Sequence, residues 1–236
     1  MSKYTKPPLL LIPGLACTGT LFAHQVEHLS PLREVIVADH TGHDSLGAIA
    51  NNILKKAPDR FALAGLSMGG YLSFEILRQA PQRVERLALL DTSARGDLAE
   101  KAELRRAAIK LAQAGKFEQV CKAFLDLSIA KSRHNDTSLK NAITQMAIDM
   151  GADKWILQAR SLMARSSSVA LLPYVKCPTL VIIGDEDQLT PMDHAVEMAD
   201  SIPGARLEVI EDCGHMSSME RPEKVNTLLY DWLTWT

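Results

Sequence analysis

The sequence predicts an α/β protein with a doubly wound, mostly parallel sheet of six strands. Six short runs rich in Leu, Ile and Val alternate along the chain with segments of helical periodicity. Several of these runs lack polar residues, which is typical of parallel strands that helices cover on both faces. One long interval, residues 96–172, has helical patterns but no convincing strand.

Strands and helices are expected to alternate in chain order. The predicted strands are Pro8–Ile12, Val35–Ala38, Phe61–Ala64, Val84–Leu90, Pro178–Ile183 and Arg206–Ile210. The predicted helices that connect and follow them are near Leu21–Leu29, Leu46–Lys56, Gly69–Gln79, Met192–Ser201 and Pro222–Trp235. This strand–helix–strand repetition favours a parallel sheet, because each helix crosses one face of the sheet before the next strand begins.

The interval 96–172 is predicted to be a helical insertion after the fourth strand. Apolar residues recur at helical spacing from Leu98 to Ala112. Further helices are expected over Phe117–Ile129, Ser138–Met150 and Lys154–Arg165. The chain is therefore divided into an α/β core, residues 1–95 and 173–236, and the insertion.

Composition and charge restrict the expected partners. Lys and Arg number 26 against 28 Asp and Glu, so the net charge of −2 gives no whole-chain reason to expect nucleic acid or a membrane as partner. The four cysteines form no Cys-x-x-Cys pair and are interpreted as reduced thiols of a cytoplasmic protein. Motifs for dinucleotides, phosphates and zinc are missing from the sequence, so we expect no cofactor and no metal.

A Gly-x-Ser-x-Gly pattern, Gly65–Gly69, stands between a predicted strand and a predicted helix. The pattern is meaningful in this context, because the sharp turn exposes the serine at the strand end and the glycines avoid collisions with neighbouring backbone. Ligands of open α/β sheets bind beyond the carboxyl ends of the strands. Ser67 is therefore the candidate nucleophile.

A serine hydroxyl needs a base within hydrogen-bond reach, and the base needs an orienting group. His215 follows the last predicted strand and comes after the serine, as the chain order of this motif requires. Of the other six histidines, only His40 and His43 also follow a strand end. His215 is therefore the candidate base, with these two as competitors.

More than one acidic residue could orient the candidate base. Asp187 lies in a loop directly after the strand Pro178–Ile183, and chain order favours it. Asp185 and Glu186 in the same loop are interpreted as turn or helix-cap residues. Asp91, at the end of the fourth strand, is the second candidate, and its alternative role is capping.

Negative charge that develops on a substrate oxygen needs donors fixed in advance. One expected donor is the backbone N–H of Met68, the residue after the candidate nucleophile. The other is the N–H of Leu15, in the loop after the first strand, where Gly14 lets the backbone approach the substrate. Taken alone, Pro13-Gly14 is more often a plain turn.

Five motifs in this order resemble an α/β-hydrolase-fold enzyme. They are Leu11–Gly14, Gly65–Gly70, Pro81–Val84, Gly184–Pro191 and Gly214-His215. The resemblance covers nearly the whole chain and extends, over Leu66–Ala94, to enol-lactonases and small carboxylesterases. It implies that the insertion 96–172 is a helical cap over the site.

The chain departs from this family in two places. Pro13 stands where many relatives have His, so only the backbone donor of that loop is expected. About seven residues precede the first strand, so the family's first two strands are expected to be missing. The strand Val35–Ala38 would then be an open edge able to pair with a second copy, which makes either a monomer or a homodimer consistent with the sequence.

These residues together predict a serine hydrolase that cleaves a small-to-medium ester or lactone through an acyl-enzyme. The same residues would also suit a C–C bond hydrolase, a thioesterase, a perhydrolase or a lyase, since a fold does not fix a reaction. A non-catalytic small-molecule-binding protein is the remaining alternative. Candidates for the pocket wall, each also compatible with a core position, are Met146, Met150, Trp155 and Met163.

Overall fold

The computed structural model describes residues 4–235, whose strands form one six-stranded sheet. Strands β1–β6 are Leu9–Ile12, Val35–Val37, Phe61–Leu66, Val84–Leu90, Thr179–Gly184 and Arg206–Ile210. Their order is β2-β1-β3-β4-β5-β6, and every neighbouring pair is parallel. The predicted fold class is confirmed, with β2 and β6 at the edges. Pairing of the β2 edge with a second copy stays a prediction.

The helices agree closely with the predicted segments of the core. Helices α1–α11 are Ala23–Leu29, Leu46–Lys56, Met68–Gln79, Ala99–Gln113, Phe117–Ala123, Leu125–Ser128, Thr137–Met150, Ala152–Met163, Met192–Ser201, Ser217–Glu220 and Pro222–Thr234. The helix predicted from Leu21 begins as a 3-10 turn, Gly19–Phe22, because the Thr18 side chain accepts from the Thr20 N–H and fixes the turn there. No helix within residues 4–235 has the length and apolarity needed to cross a bilayer.

The sheet has an apolar layer on each face because side chains alternate along a strand. Leu10 and Ile12 of β1 belong to the cluster that packs against α2, α3 and α9. Leu9 and Leu11 belong to the cluster that packs against α1 and α11. β1, β3 and β5 are buried along their whole length, which explains their continuous apolar runs.

Helices α4–α8 lie between β4 and β5 and are called the inserted helices below. They have a small apolar cluster of their own around Trp155, which contacts Phe117 at 5.6 Å between ring centroids. The predicted helix over Phe117–Ile129 is wrong as one element: it divides into α5 and α6 at Phe124, and the backbone at Ile129 is extended. The other helices predicted in this interval are present.

Candidate active site

Ser67 occupies the turn between β3 and α3 in a conformation that few residues other than glycine adopt. Its φ is 54° and its ψ is −113°. A Cβ added at Gly65 would lie 2.3 Å from the Gly69 carbonyl, and one added at Gly69 would lie 1.9 Å from the Ile12 carbonyl oxygen. The turn therefore requires glycine at both positions, and it holds Ser67 at the carboxyl end of β3.

His215 joins Ser67 and Asp187 in one chain of hydrogen-bond contacts. Its Nε2 lies 2.8 Å from Ser67 Oγ, and its Nδ1 lies 2.8 Å from Asp187 Oδ2. Both His215 and Asp187 are buried. The structure thus brings together three residues that follow three different strands.

The loop around Asp187 holds the carboxylate in place. Backbone N–H groups of Leu189 and Thr190 donate to Oδ1 at 2.8 and 3.0 Å. The Thr190 hydroxyl donates to Oδ2 at 2.7 Å. Both oxygens are therefore accepting, which suits an ionised carboxylate whose rotation is blocked.

Burial and pairing act in opposite directions on the pKa values of this pair. Burial alone raises the pKa of Asp187, but the charge of His215 and the surrounding hydrogen bonds outweigh it, so the pKa lies below its usual range. Burial alone lowers the pKa of His215, but the charge and hydrogen bond of Asp187 outweigh it and raise the pKa above 6.5. The pair is therefore arranged to stabilise a proton on His215.

Asp91, the second acid candidate, lies close to the same residues but faces other partners. Its Oδ1 accepts from the Gly184 N–H at 3.0 Å, and its Oδ2 is hydrogen-bonded to the Ser217 hydroxyl. Burial, followed by the charge of Asp187, raises the pKa of Asp91 to about 8. Burial thus favours the protonated form of this carboxyl, and within the described residues it makes no hydrogen bond to His215.

The other two acids of the Asp187 loop are turn residues, as predicted, and they also connect loops. Asp185 Oδ1 accepts from the Cys213 N–H at 3.2 Å, next to the His215 loop. Glu186 Oε2 accepts from the Lys131 N–H at 3.1 Å, in the insertion. Neither reaches the His215 ring by a hydrogen bond in the described part of the chain.

Glu220 positions the His215 loop and was not found from the sequence. Its buried carboxylate accepts from the N–H groups of Gly214 at 3.0 Å and Met216 at 3.1 Å, on either side of His215. It also accepts from the Ala130 N–H at 2.7 Å. Burial raises its pKa despite these donors. In the sequence Glu220 looks like an ordinary helical acid, so no local signal marks this role.

The loop after β1 is held near Ser67 from two sides. A Cβ added at Gly14 would lie 3.4 Å from Ser67 Cβ, so this backbone passes directly beside the serine. The buried His40 contacts the Gly14 carbonyl oxygen through Nε2 at 2.9 Å. Gln158 Oε1, from α8, accepts from the Ala16 N–H at 3.1 Å. His40 is thus a support of the loop that carries Leu15, while Met68 is the first residue of α3.

A cavity of about 350 Å³ opens onto Ser67 and His215. Its wall comes partly from the sheet end and partly from the inserted helices, and two of the four proposed wall residues, Met146 and Trp155, line it. Met150 lies instead on a second cavity, and Met163 packs against the Trp155 cluster. Helical periodicity could not distinguish these cases, because it does not show which helix face meets the sheet.

Thiols are present at the cavity, but they are not reactive anions. Cys17 and Cys121 line the cavity, and burial raises their pKa values to about 12 and about 11. Both are therefore protonated near neutral pH. In residues 4–235, no three His, Cys, Asp or Glu side chains are grouped so as to hold a metal ion.

Comparison with known proteins agrees with this geometry. Residues 45–222 match the family model of the alpha/beta hydrolase fold. The chain is 27% identical over 232 residues to the pimeloyl-[acyl-carrier protein] methyl ester esterase of Nitrosomonas europaea, covering 92% of each chain. It is 26% identical to the (E)-2-((N-methylformamido)methylene)succinate hydrolase of Acinetobacter baylyi, covering 97% of this chain and 91% of that one.

Two solved structures show the same fold over nearly the whole chain. A thermophilic esterase from Thermogutta terrifontis superposes with a TM-score of 0.87 at 29% identity, covering 98% of this chain and 90% of that one. The enol-lactonase from Burkholderia xenovorans superposes with a TM-score of 0.89 at 22% identity, covering 100% and 94%.

Proposed function

The chain belongs to the alpha/beta hydrolase family, and we propose that it is a serine hydrolase that cleaves a carboxylic ester or lactone through an acyl-enzyme. One observation carries this proposal. Ser67, His215 and Asp187 form a continuous hydrogen-bonded chain, with contacts of 2.8 and 2.8 Å, at a cavity large enough for a small-to-medium substrate.

The proposed reaction has two halves. Ser67 Oγ attacks the substrate carbonyl while His215 Nε2 accepts its proton, and Asp187 keeps the ring oriented and stabilises its charged form. His215 then gives the proton to the leaving alcohol, or to the ring oxygen of a lactone. Water repeats the sequence on the acyl-enzyme and releases the acid.

The negative charge on the carbonyl oxygen is proposed to be stabilised by the N–H groups of Leu15 and Met68. Met68 N–H belongs to the first turn of α3, where backbone donors have no partner within the helix. The Leu15 loop is supported by His40 and by Gln158, so its backbone is fixed before a substrate binds.

The insertion 96–172 is proposed to act as a cap on the α/β core. Cavity-lining residues such as Trp155 of α8 and Leu104 of α4 face the same space as Ser67. A wall that comes from outside the sheet can vary in sequence without changing the residues at the strand ends. The cap would therefore select the substrate, while the sheet end carries the reaction.

The choice of an ester or lactone is supported by the names of similar proteins. One relative is named as a methyl ester esterase, and the two structural neighbours are an esterase and an enol-lactonase. A substrate panel of esters, lactones, acyl thioesters and C–C bond substrates tests this choice. Turnover confined to thioesters or C–C substrates would contradict it.

Labelling and mutation of Ser67 test the mechanism. We expect a fluorophosphonate probe to label the protein on Ser67, and Ser67→Ala to lower kcat/KM by at least about 10⁴-fold. The matched control is Ser73→Ala, because Ser73 is buried in α3, the helix that follows Ser67, and its hydroxyl donates to the Gly69 carbonyl at 2.8 Å. Unchanged turnover in Ser67→Ala would end the serine mechanism.

A further inference from the structure

Four charged side chains form a cluster on the wall of the Ser67 cavity. Asp97 precedes α4, Lys101 and Arg105 follow it at intervals of four residues within that helix, and Arg165 follows α8. All four line the cavity. Three cations face one carboxylate, so the cluster has an excess of positive charge in a space whose other walls are largely apolar.

The single carboxylate of the cluster is already engaged. Arg105 Nη1 lies 2.7 Å from Asp97 Oδ1 and 2.6 Å from Oδ2, and only 2% of the Asp97 side chain is exposed. Arg165 Nη2 is 3.9 Å from Asp97 Oδ1, which is beyond a hydrogen bond. Asp97 therefore pairs with Arg105 and leaves Arg165 without a hydrogen-bonded counter-ion.

Arg165 is held in place by packing instead. Its guanidinium carbon lies 3.6 Å from the centroid of the Tyr71 ring, and the side chain is 11% exposed. Nε and Nη1 are buried and have no acceptor within the described part of the chain. A guanidinium cannot lose its charge, and buried donors without an acceptor are unfavourable. The site thus presents a fixed cation that lacks an acceptor.

Lys101 connects this cluster to the loop that carries Asp187. Its Nζ donates to the Leu189 carbonyl at 3.1 Å, two residues from Asp187. Burial, followed by the charges of Arg105 and Arg165, lowers the pKa of Lys101, although Asp97 and Asp187 act in the opposite direction. An added negative charge here would be attracted by both Lys101 and Arg165.

From these contacts we infer that the substrate carries a second, free carboxylate, which binds Arg165 and Lys101 while its ester or lactone carbonyl reaches Ser67. This inference rests on the proposed function and names its substrate class. A half-ester of a dicarboxylic acid, or a lactone that bears a carboxylate, has this chemistry. Because Nε and Nη1 are buried, the carboxylate would meet the guanidinium at Nη2, and its charge offsets the excess of the cluster.

The test compares matched substrates that differ only in charge. Monomethyl esters of linear dicarboxylic acids with four to eight carbons are paired with the same esters in which an uncharged carboxamide replaces the free acid. We expect kcat/KM to favour the carboxylate at the best chain length by at least about tenfold, the size of one hydrogen bond to a charged group. In Arg165→Met the ratio should fall severalfold, and in the double variant Arg165→Met/Lys101→Met it should fall close to one.

A control variant separates the site from overall charge. Arg160→Met removes the same charge from an exposed position of α8 outside the cavity wall, so its ratio should match that of the unmodified protein. Arg165→Lys keeps a cation and should restore part of the preference. Equal turnover of both substrates, or a preference that survives in the double variant Arg165→Met/Lys101→Met, would overturn the inference and leave the esterase proposal standing.

Binding gives a reading that does not depend on turnover. Calorimetry on Ser67→Ala should show monomethyl adipate binding at least about tenfold more tightly than its carboxamide, and this difference should disappear when Arg165→Met and Lys101→Met are both added. If no ester is hydrolysed and Ser67 is not labelled, the proposed function fails. The calorimetry would then test the carboxylate-binding site independently of any reaction. Equal binding of monomethyl adipate and its carboxamide would refute that site.

Discussion

The sheet end and the inserted helices contribute to one cavity, but they differ in how completely their polar groups are partnered. At the sheet end the buried carboxyl groups of Asp187, Asp91 and Glu220 all have donors close by. In the insertion, Arg165 has two buried nitrogens with no acceptor among residues 4–235, and the cavity-lining Leu104 is 61% exposed. The proposed catalytic residues are thus held in place before a substrate binds, whereas the wall formed by the inserted helices has unpartnered groups among the described residues. Reaction and selectivity should therefore respond to different mutations.

Within this comparison, Asp187 of the sheet end is expected to give the largest effect. Asp187→Asn places an NH₂ group where both carboxylate oxygens now accept hydrogen bonds, so His215 loses its orientation and its counter-charge. We expect kcat/KM to fall by about 10³- to 10⁴-fold, measured on an ester that the unmodified protein hydrolyses.

Asp91→Asn is the matched control for that change. Asp91 is equally inaccessible, but an amide can still accept from the Gly184 N–H and donate to the Ser217 hydroxyl. We expect less than about a fivefold change in kcat/KM, because burial already disfavours the charged form of Asp91 and an amide has the same shape with both a donor and an acceptor. The reverse result, with Asp91→Asn the more damaging variant, would transfer the acid's role to Asp91.

A pH profile separates the two regions by a second route. In the proposed mechanism His215 must be neutral to act as a base, and its pairing with Asp187 raises its pKa above 6.5 in the folded protein. The value of kcat/KM should therefore be at its maximum at higher pH and fall about tenfold per pH unit below that pKa. The midpoint of this fall should lie above pH 6.5. A guanidinium does not titrate in this range, so the profile reports on the sheet end.

The measurement is kcat/KM for an uncharged ester from pH 5 to 9, with circular dichroism to show that the fold persists. Arg160→Met should give the same midpoint, because that exposed charge lies outside the cavity wall. A midpoint well below 6.5 would contradict the pairing of His215 with an ionised Asp187.

The same contrast explains what could be predicted from the sequence. The strand ends and the elbow at Ser67 are set by short local patterns, because continuous apolar runs and obligatory glycines act within a few residues. Six strands and five core helices could therefore be placed in advance, with errors of a few residues at their ends. Asp187 could be ranked above Asp91 from chain order, but only side-chain positions show which of them contacts His215.

Roles that depend on distant contacts could not be predicted. Glu220 supports the His215 loop and also binds the Ala130 N–H, 90 residues away in the chain. Gln158 accepts from Ala16 across 142 residues. Neither the residue type nor the spacing predicts such a contact, because both side chains lie in segments with ordinary helical patterns. Distant contacts also determine which face of each inserted helix meets the sheet. The sequence therefore could not show which of the four proposed wall residues line the cavity, and only two of them do.

The smallest expected effect tests that wall directly. Ala108 of α4 is 8% exposed and lines the cavity, so Ala108→Leu would fill part of it with added methylene and methyl groups. We expect kcat/KM for the longest accepted acyl chain to fall by about tenfold relative to a methyl acetate-sized ester, since steric discrimination by one or two carbon atoms has about this size. Ala107→Leu adds the same group at the exposed neighbouring position and should leave the acyl-length profile unchanged. If both variants shift the acyl-length profile equally, the effect is on α4 as a whole, and the cavity wall does not determine selectivity. If only Ala108→Leu shifts the profile, the inserted helices determine which substrate binds, for a reaction that takes place at the sheet end.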